Sequence, residues 1–264
     1  MKKLLMAMLC LMGVMSSSFA GITITQDGTI IENQYISGQV NVKAHNVIIR
    51  NCELDGGGTS LYGVSSKYYD SNGQPYKGTL IENCHIHDYG VGVLAHYTTI
   101  RRCNIHDSQT DAIKARSGCL IERNWCHHLG KKVGAHADCV QIRGGSNIII
   151  RYNHFDIPIS QTGGSGGYKS NACLMIQPEV SPISNLLIHD NVMEGGNYTV
   201  YIERQEAYPI HSVKLHDNLF GPDWRYGPLA GKGPSWKERR VSIDRNYWFD
   251  GTFMAINYWD NDNK

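Results

Sequence analysis

The sequence predicts an all-β fold: one domain in which short strands wind into a stack of parallel turns, about eight or nine of them. Three observations predict it. A six-residue pattern recurs eight times, apolar and polar residues alternate within it, and no helical period separates the copies.

The pattern is an apolar residue, two variable residues, Asn or Cys, one variable residue, then a second apolar residue. It begins at Ile49, Ile81, Ile100, Ile121, Ile150, Ile188, Leu215 and Ile243, at intervals of 32, 19, 21, 29, 38, 27 and 28 residues. A unit this short cannot bury its own apolar face, so neighbours must stack into one continuous core. Alternation makes the units strands, about 4.8 Å apart from turn to turn. The longer intervals are then expected to hold surface loops, at residues 57–77, 157–170 and 221–238. The fourth position reads Cys52, Cys84, Cys103, Asn124, Asn153, Asn191, Asn218 and Asn246. In a stack these residues lie above one another, Asn bonding to Asn and the small Cys filling the same slot. A disulfide between two of the first three is geometrically allowed, but an inward ladder explains them more simply.

These coils resemble the right-handed β-helix repeats of the pectate-lyase-like superfamily, over roughly residues 40–256. The resemblance implies a single-domain right-handed parallel β-helix. It also implies a group of polysaccharide lyases, mannuronan epimerases, glycoside hydrolases and phage tailspikes. It speaks to fold rather than to activity, since one fold hosts several chemistries.

The chain opens with Lys2-Lys3, an apolar run from Leu4 to Met15, and the small-residue stretch Ser16-Ser17-Ser18-Phe19-Ala20. That order reads as a signal peptide cleaved after Ala20, and the protein is expected to be secreted or periplasmic. The apolar run is too short to span a bilayer, and Cys10 lies inside it, so no membrane anchor is expected. The domain reading is a leader at 1–20, an N-terminal cap with the first strands at 21–45, the β-helix at 46–257 and a tail at 258–264. Loss of the leader leaves 23 basic and 24 acidic residues, a balance that argues against nucleic-acid binding. A monomer is expected. Seven cysteines remain, an odd number, and their spacing does not match a C-x-x-C metal site. No metal-ligand set is assigned.

A second ladder lies between the repeats: Gly92–His96, Ala112–Arg116, Cys139–Arg143, Cys173–Gln177, Thr199–Glu203 and Phe253–Asn257. Period-two alternation points Val93, Ile113, Val140, Leu174, Val200 and Met254 inward. The outward rows are Leu94, Lys114, Gln141, Met175, Tyr201, Ala255 and His96, Arg116, Arg143, Gln177, Glu203, Asn257. Lys114, Arg116 and Arg143 thus fall in two adjacent turns. Asp111 and Asp138 precede the strands at equivalent places, and His136 lies just upstream. The Lys131-Lys132 loop, with His127-His128 at its base, enters the same turn. A cationic strip on a near-neutral protein fits a carboxylate- or sulfate-bearing ligand, because the arginine fork donates two parallel bonds. The other histidines, His85, His87, His106, His154, His189 and His216, read as surface decoration spread over many turns.

An acidic polysaccharide is the expected partner. Elimination from a uronate needs its carboxylate neutralised and a base for the C5 proton. Lys114, Arg116, His136 and Arg143 supply those residue types as the catalytic set, with Lys114 made a better base by the two arginines. Asp111, Asp138, Gln141, Gln177, Tyr201 and Glu203 are the expected substrate-binding set. A polysaccharide lyase is therefore ranked first. A glycoside hydrolase using Asp111 and Asp138 ranks second and an epimerase third, because the motifs of polygalacturonases and mannuronan epimerases are missing. A non-catalytic adhesive β-helix, with Tyr201, Tyr258 and Trp259 stacking on sugars, is the reading from another class. Calcium is left open, with Asp107, Asp111, Asp138 and Glu179 as oxygen donors.

Overall fold

The computed structural model describes residues 19–59, 61–162, 170–203, 208–232, 241–252 and 254. Residues 1–18 of the expected leader, the tail with Tyr258 and Trp259, and all but Met254 of the strand expected at 253–257 lie outside the described residues.

One turn shows why the sequence coils. From Thr79 to Glu82 the chain is a strand with Ile81 buried; it turns at Asn83, buries Cys84, and runs on as His85–His87 with Ile86 buried. A second corner at Asp88 leads to Val91–Ala95, with Val93 buried. Three strands per turn thus make a three-sided stack with one apolar residue of each strand in a shared interior. All the strand ladders are parallel, with the same residues paired from turn to turn.

The repeat is therefore two strands joined at a corner, not the single strand the alternation predicts. Its third residue makes the corner: Asn51, Asn83, Arg102, Arg123, Tyr152, Asp190, Asp217 and Arg245 all have φ between 46° and 56°. The left-handed conformation reverses the direction of the backbone in one residue and carries the fourth residue inside. A first face of nine strands runs from Ile30–Glu32 to Val241–Asp244. The second face runs from Glu53–Asp55 to Tyr247–Trp248, and the third from Tyr62–Ser65 to Gly227–Lys232. Tyr35–Val42 spans both and joins them into one 17-stranded sheet.

The inward ladder is as expected, and its bonding is uniform. Asn124, Asn153, Asn191 and Asn218 each donate from Nδ2 to the Oδ1 of the next Asn, at 2.9–3.0 Å. Each fourth-position residue also donates one turn back, to the carbonyl of the residue that begins the repeat there. Cys52, Cys84 and Cys103 do so from Sγ to Ile31, Ile49 and Ile81 at 3.6–3.8 Å. Asn124 does so from Nδ2 to Ile100 at 3.0 Å. Cys and Asn thus do the same job, and all seven described cysteines are buried free thiols.

Three boundaries differ from expectation. The coil begins a turn earlier than residue 46, because Ile30–Glu32 and Tyr35–Val42 already pair with the next turn. Two of the expected loops hide third-face strands, Tyr62–Ser65 and Gly227–Lys232, and the third holds a short helix at Ile159–Thr162. The strand Phe19–Ile24 crosses the expected cleavage point, and Ile22–Ile24 would keep their pairing to Val40–Val42 after cleavage. No helix among the described residues is long and apolar enough to cross a membrane.

Candidate functional site on the third face

The cationic strip lies on the third face, in register. Lys114 pairs with Gln141 and Leu94 in adjacent strands, so residues 94, 114 and 141 become neighbours. Arg116 and Arg143 lie two residues on, on the same face. Two loops wall this strip. On one side Lys67 and Tyr62 close in; the loop they lead into is fixed by Tyr68, whose hydroxyl donates to Asn41 Oδ1 at 2.6 Å. On the other, Val180 N–H donates to Arg143 O at 2.9 Å. The result is a cleft of about 150 Å3 lined by Tyr62, Lys67, Lys114, Arg116, Gln141 and Arg143, with Leu94 and Val180 as its apolar parts.

Charge in the cleft is only partly compensated. Lys114 Nζ is 3.0 Å from Asp111 Oδ2, and Arg143 pairs with Glu179. Lys67 and Arg116 have no acidic partner among the described residues; Lys67 Nζ instead sits 5.6 Å from the Tyr62 ring centre.

Beneath the strip, Asp111 and Asp138 are buried and linked, Asp138 N–H donating to Asp111 Oδ1 at 2.9 Å. Asn171 Nδ2 donates to Asp138 Oδ1 at 2.9 Å, and Asn197 Nδ2 to Asn171 Oδ1 at 3.2 Å. This is a second polar ladder at the corner between faces. Burial raises both carboxyls, and the neighbouring Asp111 pushes Asp138 well above the ordinary aspartate range. Gln141 Nε2 lies 3.4 Å from Asp138 Oδ2, while its own Oε1 is buried with no partner. A flip of that amide lets a protonated Asp138 donate to Oε1.

Several sequence expectations are therefore corrected. Asp111 and Asp138 do not face a ligand; a corner position turns them inward. Lys114, expected to be made a better base by two arginines, has a carboxylate, Asp111, as its ionic partner. His136 is exposed at the strand entry, five residues before Gln141, or about 16 Å along an extended chain, and does not join the cleft. His96, expected outward, is buried beneath Tyr69 and Tyr97, and burial with Arg116 nearby lowers its pKa to about 4. Gln177 and Glu203 bond to each other at 3.3 Å on the next turns, and Tyr201 is half-buried against Tyr198. Burial raises the Tyr201 hydroxyl. The four oxygen donors considered for calcium do not meet: Asp107 bonds His106 and Lys131 on the second face, and Glu179 is held by Arg143.

The sequence reading missed Tyr62 and Lys67, since the strand Tyr62–Ser65 and the segment that follows it were hidden in an expected loop. It also scattered histidines that the structure gathers: His85, His87, His106, His127 and His128 lie on three successive turns, with ring centres 4.7–5.4 Å apart.

The chain matches the family model described as the right-handed β-helix region, over residues 20–175 and 76–246. It belongs to that family. The handedness expected from the resemblance is thus established for this β-helix, and the two overlapping matches reflect its repetition. No curated protein matches the chain. Among solved structures, it is similar to the catalytic domain of a GH87 alpha-1,3-glucanase in complex with nigerose, at a TM-score of 0.31 and 11% identity. That alignment covers 87% of this chain and 52% of the other, so this β-helix spans about half that domain's length.

Proposed function

We propose that this protein is an exported enzyme that binds an acidic, uronate-bearing polysaccharide in the third-face cleft and cuts it by β-elimination. The observation that carries this reading is the set of four cations in one cleft, of which Lys67 and Arg116 lack an acidic partner among the described residues. Unpaired cations side by side repel, and an anionic ligand relieves that repulsion. Arg116 and Arg143 supply guanidinium forks for the uronate carboxylate. Arg143 would exchange Glu179 for it.

The catalytic roles shift from those read in the sequence. Lys114, tied to Asp111, serves as a donor that stabilises the charge building on the carboxylate as C5 loses its proton. Lys67, after giving its own proton to solvent, takes that proton as the neutral amine. The electron pair forms the new C=C bond, the bond to the leaving glycosidic oxygen breaks, and Tyr62 or water protonates that oxygen. Gln141 contributes a hydrogen bond, and Gln177, Tyr201 and Glu203 extend the surface along neighbouring turns. The hydrolase alternative needs two carboxyls that touch the glycosidic oxygen and its water. Burial of Asp111 and Asp138 argues for the lyase instead.

Binding to polygalacturonate, alginate and hyaluronan, followed by calorimetry, tests the site. One of them should bind, more weakly as salt rises, and Arg116→Ala or Lys67→Ala should weaken it roughly tenfold, the loss of one charge-assisted contact. Binding that survives both substitutions unchanged would place the ligand elsewhere.

A further inference from the structure

The second face carries a cluster that the cleft does not use. Glu53, His85 and His106 lie on three successive turns, and His87 shares the turn of His85. Glu53 pairs in register with His85, and His85 with Asn104, while His87 pairs with His106.

Hydrogen bonding decides which ring nitrogens are free. A carboxylate only accepts, so His106 donates from Nδ1 to Asp107 Oδ2, and His87 from Nδ1 to Asp88 Oδ2 at 2.8 Å. Lys131 holds both carboxylates in place, with Nζ 2.8 Å from Asp88 Oδ1 and 2.9 Å from Asp107 Oδ1. In the neutral rings each Nε2 is then a lone pair, and both lone pairs point into the cluster. His106 Nε2 meets His85 Nε2 in a close contact, and His87 Nε2 lies 3.4 Å from Glu53 Oε1. For His87 and Glu53 this sets acceptor against acceptor, which is unfavourable unless something positive sits between them.

We infer that Glu53, His85, His87 and His106 form a binding site for a divalent transition-metal ion of the Zn2+ class. One donor atom each from Glu53, His85 and His87 already lies within 4.8 Å of the others. A tetrahedral ion with bonds of 2.0–2.2 Å needs donors about 3.4 Å apart, so Glu53, His85 and His87 would draw closer around it, and His106, whose Nε2 touches that of His85, would turn in as the fourth ligand. Three imidazoles and one carboxylate suit zinc, copper or nickel rather than calcium or magnesium. Asp88 and Asp107 are positioning residues: they fix the tautomer and aim of two ligands, as carboxylates behind metal-bound histidines do. Because the ligands come from three turns, the ion would staple the early coil.

The proposal is independent of the polysaccharide reading and can fail separately. Chelator-treated protein titrated with Zn2+ in a calorimeter should bind one ion per chain, and Co2+ should give the visible absorption of a low-symmetry nitrogen–oxygen site. His85→Ala and His106→Ala should each weaken Zn2+ binding at least tenfold without changing the circular dichroism. Asp107→Asn should weaken it roughly 10- to 100-fold. His189→Ala is the control. His189 stacks on His216 at 5.4 Å on the first face, and each of the two bonds an aspartate, but no third donor is grouped with them among the described residues. Absence of stoichiometric binding, or binding that persists in the His85→Ala/His106→Ala double variant, would overturn the site.

Discussion

Asn153 uses every polar atom of its side chain. Oδ1 accepts from the N–H and the Nδ2 of Asn124, while Nδ2 donates to Ile121 O and Asn191 Oδ1. Replacing it by Leu leaves several buried groups unpaired, and the expected cost is about 2–5 kcal/mol, seen as a lower urea midpoint at constant slope. Asn153→Cys should cost less, because Cys103 already donates to the equivalent carbonyl, Ile81 O, at 3.7 Å. Lys114 is the opposite lesson. By sequence it is an exposed lysine whose loss should not matter to folding. Its ion pair with a carboxyl that is 3% exposed changes that. Lys114→Ala should cost about 1–3 kcal/mol at neutral pH by stranding Asp111, and Asp111→Asn/Lys114→Met should recover most of it. Unfolding curves of the single and double variants measure this, and activity must be read against them.

The corner ladder Asp111–Asp138–Asn171–Asn197 makes a further expectation at the scale of an element. Asp138 is raised well above its usual 3.8, first by burial and then by Asp111. The folded chain therefore holds a proton that the unfolded chain releases above about pH 4. That stabilisation is complete below the unfolded pKa and is lost as pH rises through the folded one. Asp138→Asn removes the loss, and Gln141 Oε1, buried without a partner, can accept from the new amide. The variant's stability should match the native protein's near pH 4 and exceed it at pH 8; a gap that does not change with pH would contradict this. The faces also show what a sequence withholds. The second residues of the repeats and Glu32 alternate in sign as Glu32, Arg50, Glu82, Arg101, Glu122 and Arg151. They pair as Arg50–Glu32, Arg101–Glu82 and Arg151–Glu122 at 2.7–2.9 Å between Nε and carboxylate. The residues were visible, but the alternation means something only once the register stacks them.

The whole molecule is nearly one-dimensional, each turn touching chiefly the turns before and after it. That is why its fold was legible: eight copies of one pattern report eight solutions to the same packing problem. The ladder of Cys and Asn and the inward apolar rows follow directly. The site was legible in part. Lys114 and Gln141 sit on strands, and Arg116 and Arg143 directly after them, where the strand period places them, whereas Tyr62 and Lys67 arrive from an irregular interval with no repeat to align it. The inward turn of Asp111 and Asp138 depends on corner geometry that alternation does not encode. The histidine cluster was missed for a related reason, since Glu53 and His85 occupy a variable position of the pattern, His87 and His106 fall just after its last residue, and all four converge only through stacking. The central functional claim concerns the cleft, and turnover tests it most directly. The purified protein, incubated with polygalacturonate, alginate and hyaluronan, should raise the ultraviolet absorbance of unsaturated uronate ends on one of them, and Lys67→Ala should abolish the rise while keeping the fold. New reducing ends without that absorbance, or no cleavage of any uronate polymer that binds, would contradict it.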